Sequence, residues 1–247
     1  MPNLPFQAMI LAAGLGTRLK PYTDERPKAL VDLNGKPILA YLLDKLKSEG
    51  CKRVVINIHY KGSMILDFLQ TYHPDGMELV ISDETDLLLE TGGGLRKACN
   101  LFAPYMPVIV HNVDILSDLS FQDLLVSHSQ HDSFLTLAVR KRSSSRYLFF
   151  DEFGLLSGWL NNKTGETLGV VDQLNGSLMA FSGIHVASPL FFKILMEKKE
   201  VSRFSIIPLW VEMAKDYPIR FYDHTEGYWS DIGTPEDLES ARKNFPF

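Results

Sequence analysis

Two cations, Arg18 and Lys28, follow a glycine turn in the runs Leu11-Ala12-Ala13-Gly14-Leu15-Gly16-Thr17-Arg18 and Arg26-Pro27-Lys28-Ala29-Leu30. Without Cβ atoms, Gly14 and Gly16 let backbone N–H groups of the turn close on an anion, and the two side chains add positive charge. The chemistry this suits is the grip of a polyphosphate. Two other phosphate loops are excluded. A dinucleotide fingerprint needs a third glycine where this chain has Leu19, and no segment supplies the G-x-x-x-x-G-K followed by Ser or Thr of a Walker loop.

Two carboxylates lie where a metal would serve such a substrate. Asp114, in His111-Asn112-Val113-Asp114, emerges at the end of a buried strand, and Asp231 follows a strand far along the chain in Trp229-Ser230-Asp231-Ile232-Gly233-Thr234-Pro235. Brought together they suit magnesium, a hard ion that takes oxygen ligands and keeps waters and phosphate oxygens in its shell. Each residue also has a structural reading: Asp114 as a strand-end turn former, Asp231 as an N-cap for the closing helix. Thr91, Gly92 and Gly93, in Glu90-Thr91-Gly92-Gly93-Gly94, form a loop before a helix expected near Leu95. A nucleobase could lie flat against it while backbone groups meet its edge.

The L-A-A-G-x-G-T-R run followed by P-K-x-L resembles the signature of the sugar-1-phosphate nucleotidylyltransferases. The Glu90–Gly94 stretch is similar to the L-E-T-G-G-G loop of the branch holding N-acetylmuramate-1-phosphate uridylyltransferases and mannose-1-phosphate guanylyltransferase-like proteins. The resemblance implies attack of a sugar 1-phosphate on the α-phosphorus of a nucleoside triphosphate, giving a nucleotide sugar and pyrophosphate. It implies Leu11, Ala12, Ala13, Gly14, Gly16, Thr17, Arg18, Thr91, Gly92 and Gly93 around the nucleotide and Mg2+ on Asp114 and Asp231. Arg18 is expected on the β and γ phosphates, and Lys28 on the α-phosphate or the sugar phosphate. The family's aspartate usually sits in N-G-D or N-S-D, and Val113 replaces the small residue here. Carrying over its sugar motifs points to Lys163, Ser182 and Gly183, with Glu166 as a substitute acid. The favoured pair is UTP with an N-acetylated sugar such as N-acetylmuramate 1-phosphate. GTP with mannose 1-phosphate is the alternative, and a non-catalytic nucleotide-sugar-binding subunit a third reading. A glycosyltransferase would want D-x-D at the strand end and would leave Arg18 and Lys28 without a task.

The elements that must position these residues follow from hydrophobic patterning. Residues 8–12, 53–58, 78–81 and 107–111 are short apolar runs suited to strands buried on both faces. They alternate with helical patterns at 37–48, 61–72 and 94–102. After residue 133 the order changes: strands at 134–139, 147–150, 155–160, 180–186 and 219–222, and helices at 189–198 and 204–215. With the resemblance, this predicts a Rossmann-like α/β fold of three α/β/α layers, with a mainly parallel mixed central sheet and a small antiparallel sugar-side subdomain. Ser143-Ser144-Ser145 between its arginines reads as a mobile turn.

Composition narrows the partners. The 247 residues suit one domain spanning 1–247, and a hydrophobic share of 45% with 22% charged residues is that of a folded globular chain. A net charge of -5 leaves no basic field for nucleic acid or an anionic membrane, so a few placed cations must do the phosphate recognition. Cys51 and Cys99 form no metal or disulfide pattern. No apolar stretch is long enough to span a bilayer, and the expected setting is cytoplasmic, as a monomer or homodimer.

Overall fold

The structure, a computed structural model, describes residues 3–72, 74–172, 174–197 and 203–246. In chain order it comprises β1 (Gln7–Leu11), β2 (Asp32–Leu33), β3 (Lys36–Pro37), α1 (Ile38–Ser48), β4 (Arg53–Ile58), α2 (Gly62–Thr71), β5 (Glu78–Asp83), α3 (Glu90–Ala98), β6 (Val108–Asn112), β7 (Ile115–Ser117) and α4 (Phe121–Gln130). Then follow β8 (Leu135–Arg140), β9 (Arg146–Asp151), β10 (Leu156–Asn161), β11 (Thr167–Gly169), β12 (Gly176–Ala187), α5 (Pro189–Glu197), α6 (Ile206–Met213), β13 (Ile219–Asp223), β14 (Trp229–Asp231) and α7 (Pro235–Asn244).

The apolar runs become a parallel core in the order β6-β1-β4-β5. On its other side β12 runs antiparallel to β6, β8 antiparallel to β12, and β13 parallel to β8. Side chains alternate across this sheet into two buried layers. Ala8, Ile10, Val54, Ile56 and Ile109 meet α1, α2 and α4, while Met9, Val55, Val108 and Val110 meet α3, α5 and α6. That accounts for the unbroken apolar character of these strands. The first stretch of β12 leaves the central sheet to pair with β9, and β9, β10 and β11 continue as the expected antiparallel arm.

A third apolar cluster joins the two ends of the chain. Leu19, Val31, Leu33, Ile38 and Leu116 pack with Ile232, Leu238 and Ala241. Together with the β14–β7 ladder, in which Asp231 pairs with Ile115, this holds the Asp231 segment against the turn that carries Arg18.

Three local expectations change. α3 begins at Glu90, not near Leu95, so Thr91, Gly92 and Gly93 form its first turn and are not a loop ahead of it. The first-turn N–H groups of a helix lack partners within it, and here the Phe204 carbonyl accepts Gly92 N–H at 2.9 Å and Gly93 N–H at 3.3 Å. Asp231 is not an N-cap. Thr234 caps α7, accepting from Asp237 N–H, while the Asp237 carboxylate returns to Thr234 N–H. α5 is described as far as Glu197, and Lys198, the predicted last residue of that helix, lies outside the described residues. Cys51 and Cys99 are free and buried, their thiols pushed up to about 12 by desolvation. Among the described residues no helix is long and apolar enough to cross a membrane.

Candidate active site

The carboxyl ends of β1, β4 and β6 open onto one pocket of about 360 Å³, where ligands of open α/β sheets are expected. Leu11, Ala12, Ala13, Gly14, Lys28, Thr91 and Asp114 line it, together with Asn57, Glu84, Glu90 and Asn112. A buried polar chain builds its floor. Asn57 Oδ1 accepts the Ala12 N–H at 2.7 Å, Asn57 Nδ2 donates to Glu84 Oε1 at 2.8 Å, and Glu84 Oε2 accepts the Leu89 N–H at 3.2 Å. Glu84 is 1% exposed, so this carboxylate ties the glycine turn to the approach of α3.

The two glycines of the turn have different tasks. A Cβ on Gly14 would meet nothing within 4 Å, which leaves that backbone open to the pocket. Gly16 sits at φ 65, and its carbonyl accepts the Thr23 hydroxyl at 2.8 Å, so it shapes the turn leading to Thr17 and Arg18. Leu19 anchors the next 3-10 turn in the third cluster and leaves Arg18 exposed.

Asp114 and Asp231, remote in sequence, lie close enough to feel each other's charge. Lys28 Nζ lies 2.5 Å from Asp114 Oδ2, and Asp231 feels both the Asp114 charge and the Lys28 and Arg18 cations. Burial first, and Asp114 second, hold the Asp231 carboxyl above the usual carboxylate range. Asp231 Oδ1 is buried without a hydrogen-bond partner among the described residues, which leaves its lone pairs free for a cation. Among the described residues no group of three or more His, Cys, Asp or Glu gathers as a metal cage. The donor set therefore fits a cation that takes two protein carboxylates and completes its shell with substrate oxygens and water.

Asp231 and Arg18 open onto an adjoining cleft of about 940 Å³, which shares Glu90 and Ser205 with the first pocket. One wall is the antiparallel arm, contributing Arg146, Tyr147, Leu148, Trp159, Glu166 and Leu168. Arg142 is among the cleft residues that sequence reasoning missed. Its guanidinium lies 4.4 Å from the Trp229 ring centroid and donates through Nη2 to the Phe181 carbonyl at 3.1 Å. Burial lowers its pKa while the Asp231 charge raises it. The signal available was a pair of arginines around a serine triplet, which spacing alone assigns to a turn.

Of the sugar residues expected, the structure gathers one. Glu166 lines the cleft, whereas exposed Lys163 stands in the β10–β11 turn outside its lining. Ser182 is fully buried: its hydroxyl bonds His224 Nε2 at 2.7 Å and its carbonyl accepts the Trp229 indole N–H at 2.9 Å. Gly183 is also buried, at φ 79, where a Cβ would come within 2.8 Å of Ile115 and 3.0 Å of Asn112. Both are buried among the strands beneath the acids, outside the lining of either pocket. Gly92 and Gly93 are likewise buried, and a Cβ at Gly92 would fall 2.2 Å from the Phe204 ring. Of Thr91, Gly92 and Gly93, Thr91 alone lines the pocket.

Residues 7–148 match the family described as nucleotidyl transferase. The chain is 31% identical over 245 residues to an N-acetylmuramate alpha-1-phosphate uridylyltransferase of Caulobacter vibrioides, an alignment covering 96% of this chain and 95% of that protein. It is 32% identical over 237 residues to the mannose-1-phosphate guanylyltransferase catalytic subunit beta of Drosophila melanogaster, covering 94% of this chain and 60% of that relative's length. Among solved structures, HddC from Yersinia pseudotuberculosis complexed with GMP-PN superposes with a TM-score of 0.75 at 26% identity, covering 97% of this chain and 99% of that one. A UDP-glucose pyrophosphorylase complexed with UDP-glucose gives a TM-score of 0.77 at 18% identity and 98% coverage of both, a likeness of fold.

Proposed function

Because the chain belongs to the nucleotidyl transferase family and to its sugar-1-phosphate branch, we propose that it joins a nucleoside triphosphate to a sugar 1-phosphate, with UTP and N-acetylmuramate 1-phosphate as the favoured pair. The observation that carries this reading is the convergence of Arg18, Lys28, Asp114 and Asp231 on two pockets that share a wall.

In this reaction an oxygen of the sugar phosphate attacks the α-phosphorus, the bond to the β-phosphate breaks, and pyrophosphate departs with no covalent enzyme intermediate. The demand on the protein is position and charge. Bound to Asp114 and Asp231, magnesium would neutralise phosphate charge. The open backbone at Gly14 admits the triphosphate, with the Ala12 N–H held in place by Asn57. Arg18 meets the charge that develops on the departing pyrophosphate, and Lys28 lies between the two phosphates that must approach each other. Arg142, fixed on Trp229 beside Asp231, adds a third cation at the border of the acceptor cleft.

The experiment follows pyrophosphate release with magnesium, each of the four nucleoside triphosphates and a panel of sugar 1-phosphates. The expected result is turnover of UTP with N-acetylmuramate 1-phosphate, lost on chelation of the cation. Preference for GTP with mannose 1-phosphate is the second reading, favoured by the guanylyltransferase relatives and the GMP-PN complex. Silence across every pair overturns both and leaves a nucleotide-sugar-binding subunit.

A further inference from the structure

The antiparallel arm presents two rows of side chains to the cleft, and strand register defines them. Leu148 pairs with Trp159, and Trp159 with Leu168, so these three stand in one row on one face. Two residues toward the arm's edge, the same face carries Arg146 opposite Asn161, and the Asn161 N–H donates to the Glu166 carbonyl at 2.8 Å. The second row is therefore Arg146, Asn161 and Glu166, with the two charges roughly 10 Å apart across three strands. An apolar floor with an indole, bordered by a cation at one end and an acid at the other, is a seat for a sugar ring that bears unlike substituents.

Arg146 is the unusual member. Its backbone bonds Ser144, but its guanidinium has no partner among the described residues and is exposed on the cleft wall. Arg142 is already committed to Trp229 and the Phe181 carbonyl beside Asp231. The reacting phosphates thus have Arg18, Lys28 and Arg142 near the acids, while Arg146 stands beyond the Leu148 row. The geometry points to Arg146 as a specificity residue that selects sugar 1-phosphates carrying a second anionic group, a carboxylate, on the ring. A planar guanidinium fork matches a carboxylate with two parallel hydrogen bonds. This rests on the proposed function, whose favoured acceptor carries such a carboxylate on its lactyl ether.

The test compares N-acetylmuramate 1-phosphate with N-acetylglucosamine 1-phosphate, which lacks only the lactyl group. Both the kcat/KM ratio with UTP and magnesium and calorimetric binding of each sugar 1-phosphate are measured. Wild-type protein is expected to prefer the acid. Arg146→Gln should lower that preference about 10- to 100-fold, Arg146→Glu should lower it further, and Arg146→Lys should restore part of it. Equal losses on both sugars, or an unchanged ratio, would overturn the assignment while leaving the proposed reaction intact. Binding that prefers the acid and loses that preference in Arg146→Gln, without pyrophosphate release, would sustain the assignment and overturn the reaction.

Discussion

Lys28 and Asp114 form an ion pair, Nζ to Oδ2 at 2.5 Å, with side chains only 11% and 23% exposed. The cation assigned to phosphate and the carboxylate assigned to a metal neutralise each other before substrate arrives. On the proposed function, binding exchanges this pair for two new ones.

Lys28→Ala should cut turnover on the order of 10²- to 10³-fold. It also leaves Asp114 unpaired beside Asp231, a loss of about 1–3 kcal/mol that magnesium should largely restore. Pyrophosphate release and urea unfolding with and without the cation measure both effects. Full activity in this variant would reject the role given to Lys28.

Asp231→Asn should separate stability from activity. The buried carboxylate is penalised by desolvation and by Asp114, so removing its charge raises the melting temperature of the cation-free protein by about 2–4 °C at most, since the group is partly open to water. Turnover should vanish, and the melting temperature should no longer respond to magnesium. Calorimetry across a magnesium titration decides it, and a variant that melts lower without the cation contradicts the account.

Two glycine substitutions should have opposite signatures. Gly92→Ala forces a Cβ to within 2.2 Å of the Phe204 ring and 2.9 Å of its carbonyl oxygen, and should cost about 1–3 kcal/mol of stability. Gly14→Ala meets nothing in the free protein, so its melting curve should match the parent while KM for the nucleoside triphosphate rises roughly tenfold or more. Thermal melts and saturation curves on the two variants test the contrast.

Acid should weaken the fold through histidines. Burial holds His111, His128 and His224 down to about 4 and His185 to about 3. In the unfolded chain each takes up a proton near pH 6.5. The unfolded state therefore binds more protons below pH 6.5, and stability present above that value is lost as pH falls toward 4. The combined effect at pH 5 relative to pH 8 is on the order of several kcal/mol, measured by urea unfolding at the two values. A flat profile would show that these rings do not remain neutral.

The central sheet was legible because strands buried on both faces leave runs such as Val54-Val55-Ile56 with no polar interruption. The glycine turn was legible because Gly14, Gly16 and Arg18 follow β1 within one short run. What escaped depended on partners remote in sequence. Gly92 and Gly93 look like an open loop until the Phe204 carbonyl accepts their N–H groups. Arg142 looks like part of a mobile turn until Trp229 lies beneath it. Ser182 and Gly183 occupy the positions that a sugar motif suggests, but the register shift of β12 between Phe181 and His185 accompanies their burial beneath the site. The short strands β7 and β14, which deliver Asp231, carry too few residues to announce themselves.

The twelve residues of β12 run without a break from the arm that presents Arg146 to the sheet that presents Asp114. On the proposed function, this single length of backbone sets the span between donor and acceptor. On that reading, side chains of β9, β10 and β11 adjust the fit to the acceptor while Arg18, Glu90 and Ser205, which line the same cleft from outside the arm, keep their places.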